Sequence, residues 1–333
     1  MTTAVERHET SVGEQVLPVP FGPGSLLWDL AGDRRSNLVF LMPTLMQTMH
    51  PVIGDAVQHL SVPTKDPFGR RTRSVDSIHL WIYGGEDAVR EGQRLIQLHR
   101  PVKGLDAEGR ERSALMPETW AWVPLTAYPA FLTLARLFTE KLSLDDEIRL
   151  YDEVRNLARI LGVREQHIPP TVADFWTYYD DFVATKLTNH AYVHEVLEAG
   201  RAPAYPAALP AVARPLWRLV TPRVGRVGIW LSIGTFPPEM RDILELPWTD
   251  RDERRLQLLG QAVRITFRVL PERLRYAPTP YLVRRLEDAK ASGRSTGRLE
   301  RKLRDRLTTV HGRQTKELDW DTPPASAATA GKR

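Results

Sequence analysis

A single all-α, multi-helix domain is predicted by three features of this chain. Apolar residues recur at helical spacing almost throughout its 333 positions, and no stretch alternates with the two-residue period of a half-buried strand. Helix-start patterns recur, with Ser143 three residues before Asp146 and Thr171 three before Asp174. Hydrophobic residues make up 42% and charged residues 26%, the balance of a chain that buries an ordinary globular core.

Residues 1–20 form an N-terminal extension in which Glu6, Arg7, His8 and Glu9 leave no apolar core for a secretory leader. Asp33 or Ser36 can cap a helix to about His50 carrying Leu38, Leu41, Met42, Leu45, Met46 and Met49, with Pro43 as a kink and Pro51 as its end. His59 and Ser61 are then expected in a loop. Two helices around Gly84-Gly85 follow, and Pro101 stops the second. Glu118 to Phe138 reads as one buried helix bent by Pro124 and Pro129.

Ser143 opens a helix with the stripe Tyr151, Val154, Leu157, Ala158 and Leu161, closed by Gly162. Thr171 opens another to about Thr188, with Phe175, Trp176, Tyr179 and Phe182 inward. Residues 201–215, rich in Ala and Pro, read as a loop. Pro247-Trp248-Thr249-Asp250 starts a helix to about Val269, and a charged helical region beyond Pro280 breaks at Ser292-Gly293. The implied organisation is a helical domain over 21–286, a charged helical appendage over 287–320 and a Pro/Ala/Ser-rich disordered tail over 321–333.

The chain has no cysteine, which excludes disulfides, iron–sulfur clusters, thiolate-ligated haem and cysteine zinc sites. No window reaches the ~18 uninterrupted apolar residues of a membrane span, and a cytoplasmic location is expected. The net charge of +5 comes mostly from the C-terminal third, where Arg284, Arg285, Arg298, Arg301 and Arg304 interleave with Glu287, Asp288, Glu300 and Asp305. Mixed signs at helical spacing describe a solvated face, so no nucleic-acid partner is expected. No P-loop, dinucleotide fingerprint or nucleophile elbow occurs.

The residues around Gly84-Gly85 carry the most chemistry. Arg70, Arg73 and Ser74 share a helix face that Ser77, Ile78 and Trp81 continue, and Val89, Gly92, Ile96 and His99 share the apolar face of the second helix. Arg70 lies fourteen residues before Gly84 and His99 fourteen after Gly85, so a hairpin with arms of roughly 21 Å returns His99 to the level of Arg70 and Ser74. An imidazole facing an arginine pair and a hydroxyl across an apolar seam suits a planar, mostly apolar cofactor with anionic edges. The plainer alternative is a packed histidine bonded to a carbonyl.

Gln47 and His50, in Gln47-Thr48-Met49-His50-Pro51, form a second cluster on one face, although a histidine at a helix C-terminus is favoured electrostatically in any protein. His190 and His194 have a metal-capable spacing, but the zinc-protease pattern needs Glu where Ala191 stands.

In this order the clusters resemble the bacterial and fungal haem-dependent oxygenases of the MpaB and rubber oxygenase (latex-clearing protein) family. The similarity covers roughly Phe21 to Leu286. It runs through Phe21-Gly22-Pro23-Gly24-Ser25, the Gln47 to Pro51 segment, Arg70-x-x-Arg73-Ser74, His99-Arg100-Pro101-Val102-Lys103-Gly104 and Trp122-Val123. It continues through Leu231-Ser232, Phe236 to Arg241, Pro247-Trp248 and Leu270 to Arg275. The resemblance implies an all-helical fold with a buried haem b and cleavage of carbon–carbon double bonds by dioxygen in apolar, often isoprenoid, substrates. It implies His99 as the proximal iron ligand, with Arg70, Arg73 and Ser74 near the haem.

This chain departs from the family where Arg73 replaces a lysine, Ser74 a threonine and Pro124 a histidine that follows the Trp-Val pair in many relatives. Arginine is always charged and cannot serve as a titratable ligand. The expectation is therefore a haem oxygenase in which Arg73 and Ser74 act at the reacting centre, and His99, Arg70, Arg73, Ser74, Gln47 and His50 hold the cofactor. Met42, Met46, Met49, Trp120 and Trp122 would line an apolar substrate pocket, or simply fill the core. The rivals are a non-catalytic haem- or lipid-binding protein, and a helical interaction protein using its basic C-terminal helix on nucleic acid or anionic membrane.

Overall fold

The computed structural model describes residues 16–60, 67–202, 205, 210, 212 and 214–315. Its helices are α1 (Leu26–Ala31), α2 (Leu41–Thr48), α3 (Pro51–Leu60), α4 (Pro67–Tyr83) and α5 (Asp87–His99), then α6 (Pro117–Leu125) to α8. Of these, α7 spans Ala127–Phe138 and α8 Leu144–Ile160, and α9 (Val172–Lys186), α10 (Ala191–Arg201) and α11 (Arg214–Thr235) follow. The chain continues through α12 (Pro238–Ile243), α13 (Asp250–Val269), α14 (Glu272–Arg275), α15 (Pro278–Ala291) and α16 (Gly297–Thr315). Between α5 and α6 lies one antiparallel hairpin, β1 (Lys103–Leu105) and β2 (Glu111–Ser113), with Gly104 opposite Arg112. Among the described residues the fold is all-α apart from these two short strands.

The capping patterns act where the sequence places them. Ser143 Oγ accepts from the Asp146 backbone NH at the start of α8, Thr171 does the same for α9, and Thr249 with Asp252 forms a complete capping box on α13. The prolines act differently from expectation. Pro51 begins α3 instead of ending a helix, because its missing NH costs nothing in a first turn. Asp33 caps only a short 3-10 turn over Arg34–Leu38, and Pro43 sits in the first turn of α2 without breaking it. His59 belongs to α3 and not to a loop, whereas Ser61 lies outside the described residues. The segment Glu118 to Phe138 is two helices divided at Thr126, two residues after Pro124.

The main core gathers α2, α6, α7, α8 and α9 around Met42, Met46, Trp122, Tyr128, Tyr151 and Phe175, each at most 1% exposed. Met49 is in the same core, so these methionines and Trp122 are packing residues. Glu153 of α8 ties the N-terminus of α1 to the core, accepting from the backbone NH of Leu26 at 2.9 Å and of Leu27 at 2.7 Å. The carboxylate satisfies two donors that a helix start leaves open, with the favourable dipole sign.

The charged C-terminal helices are packed down. Arg284 of α15 bonds Asp29 at 2.5 Å and lies over the Trp28 and Tyr276 rings, while Val310 of α16 is buried. His79 of α4, T-shaped against Tyr83, has a pKa lowered to about 4 by burial and then by the charge of Arg306 on α16. A base held neutral in the fold but protonated when unfolded destabilises the fold below its unfolded pKa. His79 is thus expected to cost nothing above about pH 6.5 and up to roughly 3 kcal/mol as pH falls to about 4. Urea midpoints at pH 7 and pH 4.5 should therefore fall further in the wild type than in His79→Gln; equal falls would remove His79 from the acid response.

Candidate functional site

Gly84-Gly85 turns α4 back on α5 as the glycine pair requires, Gly85 taking a φ of 57° that side-chain-bearing residues rarely adopt. Ser77 Oγ donates to Glu91 Oε1 at 2.8 Å across the seam. These two residues are equidistant from Gly84, a register that sets His99 level with Gly69 and Arg70. Glu91 is buried and paired with Arg94, whose Nε and Nη2 donate to its two oxygens at 2.8 Å each. The seam of the hairpin is therefore held by a desolvated carboxylate.

His99 ends α5. Its Nδ1 lies 2.8 Å from the Leu95 carbonyl one turn back, and its ring is 5.3 Å from that of Trp120 on α6. A carbonyl only accepts, so Nδ1 carries the proton and, in the neutral ring, Nε2 carries the lone pair. Trp120 Nε1 in turn donates to the Leu161 carbonyl at 2.8 Å. At Gly92 a β-carbon would lie 2.1 Å from the Ile160 carbonyl, so only glycine lets α5 come this close to the end of α8. Three helices thus converge to hold the imidazole.

Among the partners proposed opposite it, Arg73 is half-buried and Ser74 exposed, and the Arg70 side chain lies outside the described residues. Gln47 is engaged elsewhere: its Nε2 donates to the Val123 carbonyl at 3.1 Å and to Thr126 Oγ1 at 2.8 Å, bracing the break between α6 and α7.

His50 sits 5.7 Å from the Phe182 ring, and Phe182 is stacked on Trp122 at 4.0 Å. Trp120 and Trp122 are about 200° apart around α6, which sets His99 and His50 against opposite faces of it. Burial lowers the His50 pKa and keeps the ring neutral. His50 Nδ1, Trp122 Nε1, Tyr178 Oη and Thr119 Oγ1 are buried with no hydrogen-bond partner among the described residues. Glu118 and Lys186 form an ion pair of 2.9 Å whose charges both act on His50. The sequence reading missed Glu91, Thr119 and Tyr178. Glu91 with Arg94 has the spacing of a solvated surface pair, and Tyr178 falls beside the apolar stripe of α9 instead of in it.

The remaining candidates have other work. His190 Nδ1 accepts from the Tyr192 backbone NH at 3.2 Å as the cap of α10, and His194 bonds Asn189 at 2.5 Å. No three His, Asp or Glu side chains among the described residues group as a metal site. A groove of about 450 Å³ runs between Leu132, Trp176, Tyr179, Arg136, Lys141 and Glu239, and none of the predicted site residues lines it.

Two uncharacterized proteins, from Mycobacterium bovis and Mycobacterium tuberculosis, are each 25% identical to the chain over 176 residues, or 53% of it and 64% of the relative. The chain thus matches less than two thirds of the length of these relatives. No solved structure matches it. The description "ER-bound oxygenase mpaB/B'/Rubber oxygenase, catalytic domain" matches residues 28–265, a span that takes in α2 to α12, the α4–α5 hairpin and His99. The chain therefore belongs to the mpaB/rubber oxygenase catalytic-domain family.

Proposed function

We propose that this chain is a haem b-dependent oxygenase that holds the iron through His99 and uses dioxygen to oxidise, or cleave at a C=C bond, an apolar isoprenoid- or lipid-like substrate. The observation that carries the reading is the bond from His99 Nδ1 to the Leu95 carbonyl. It fixes the ring orientation and leaves the lone pair on Nε2, the arrangement a histidine ligand needs. The donor set fits a haem better than a bare ion. No protein-only metal cluster occurs among the described residues, whereas a haem brings four nitrogen ligands and asks the chain for a single imidazole.

When bound, the haem supplies dioxygen activation. The chain's residues do the rest. Leu95 and Trp120 orient the His99 ring, and the Ser77–Glu91–Arg94 seam keeps α4 and α5 in register behind it. Arg70 and Arg73 offer fixed positive charge for propionates or for developing negative charge, and Ser74 offers a hydroxyl donor. His50, neutral and buried, and Gln47 pack on the α2 side of α6, on the face away from His99. A non-catalytic haem-binding protein is the second reading, favoured by Pro124, buried within α6 where many relatives carry histidine.

The test is the visible spectrum. Wild-type protein loaded with haemin is expected to show a Soret band that His99→Ala loses while keeping its far-UV circular dichroism. A wild type that takes up no haemin, or an unchanged Soret band in the variant, would overturn the assignment. Oxygen uptake on adding an unsaturated lipid then separates the oxygenase from the non-catalytic reading.

A further inference from the structure

The 22-residue helix α11 is two-faced in the wrong sense for a buried helix. Its inner face, Thr221, Gly225 and Ile229, packs on α10, with Gly225 so close to the Arg201 carbonyl that a β-carbon would lie 2.3 Å from it. The opposite face shows Leu216, Val220, Val224 and Val227 at spacings of four, four and three residues, each between 44% and 64% exposed, with Leu219 beside them at 62%. This stripe runs about 17 Å along the axis. An apolar face of that length, presented outward, marks an interaction surface.

Charge identifies the occupant. Within α11 stand Arg214, Arg218, Arg223 and Arg226, and no Asp or Glu. Arg223 and Arg226, on the outer face, donate to the Leu219 and Pro222 carbonyls of their own helix at 2.8 and 3.1 Å. The acids of α10 are engaged elsewhere: Glu195 with Gln58 and Glu198 with Arg201. A second copy packed α11 against α11 would set these arginines against each other with no acid between them. A nucleic acid would match the arginines and strand the valines and leucines. A bilayer with anionic headgroups satisfies both.

We infer that α11 is a membrane-surface element, lying in the headgroup plane of an anionic bilayer with Leu216, Val220, Val224 and Val227 inserted and Arg223 and Arg226 reaching to lipid phosphates. Arginine extends its apolar stem along such a face while its head stays in the wet, charged layer. No helix among the described residues is long and apolar enough to cross a membrane, so this contact is interfacial. The inference stands apart from the haem reading, because binding is measured without turnover.

The experiment is co-sedimentation of the full chain with phosphatidylcholine vesicles, with and without phosphatidylglycerol. The wild type is expected to pellet with the anionic vesicles and to be released by salt. Val220→Glu/Val224→Glu and Arg223→Glu/Arg226→Glu should each lower the partition coefficient on the order of tenfold. Their circular dichroism melts should match the wild type, since all four side chains are exposed. A wild type left in the supernatant, equal retention on neutral vesicles, or variants that bind like the wild type would each overturn the inference. So would a dimer in solution that Val220→Glu/Val224→Glu converts to monomer, which would assign the face to a second copy.

Discussion

Glu91→Ala is expected to lower unfolding stability by about 3–5 kcal/mol, the cost of breaking a buried ion pair from one side. The carboxylate is 5% exposed and receives Ser77 Oγ as well as two donors of the half-buried Arg94, so its removal takes away the acceptor that both side chains share across the seam. The sign is reversible by design: Glu91→Leu/Arg94→Leu should recover most of the loss, because two apolar side chains leave no charge without solvation. Urea unfolding of the three chains checks this. A single variant within about 1 kcal/mol of wild type, the range of exposed pairs, would mean that water already reaches the seam. Because the same seam holds α5 against α4, Glu91→Ala should also broaden or weaken the Soret band proposed to depend on His99, while Glu91→Leu/Arg94→Leu restores it.

Trp122→Ala should cost a further-reaching 3–5 kcal/mol or about that, as expected for a large aromatic removed from a closed core. Trp122 is 0% exposed, stacks on Phe182 at 4.0 Å and meets Tyr178 and Tyr179 at 6.2 and 5.9 Å. Trp122→Phe should lose far less, since it keeps an aromatic face and removes an indole NH that has no partner among the described residues. Thermal melts of both variants test the ordering. If Trp122→Phe is as damaging as Trp122→Ala, the indole NH contributes more than the aromatic face does.

Most of the helical architecture was legible because its signals are local. Ser143 with Asp146, Thr171 with Asp174 and Thr249 at the start of α13 cap helices through contacts within one turn, and sequence spacing alone encodes such contacts. Gly84-Gly85 was readable for the same reason. Pro51 was not. A proline that ends one helix and one that begins the next look alike, and only the α2–α3 junction, where the Met49 carbonyl receives the Thr188 NH at 2.9 Å, distinguishes them. The β1–β2 hairpin escaped because its strands are three residues each, too short for alternation to register.

At the candidate site, equal arms about the glycine pair set the level of His99, and the family resemblance named it. Which groups surround it depended on helix rotation and on packing between distant segments. Spacing put Ser74 and Ser77 on one face of α4; the hydroxyl that crosses the seam is that of Ser77, and Glu91, which spacing did not single out, is the acid that meets it. Likewise spacing puts Gln47 and His50 on one face, yet His50 falls in the junction between α2 and α3, and packing gives Gln47 to the α6–α7 break and His50 to Phe182. Most helix starts and the glycine turn could be read from the residues alone, because backbone hydrogen bonds and caps act within a few residues. The tertiary structure decided which side chains lose their water and meet, because burial and partnership are properties of surfaces brought together from far along the chain.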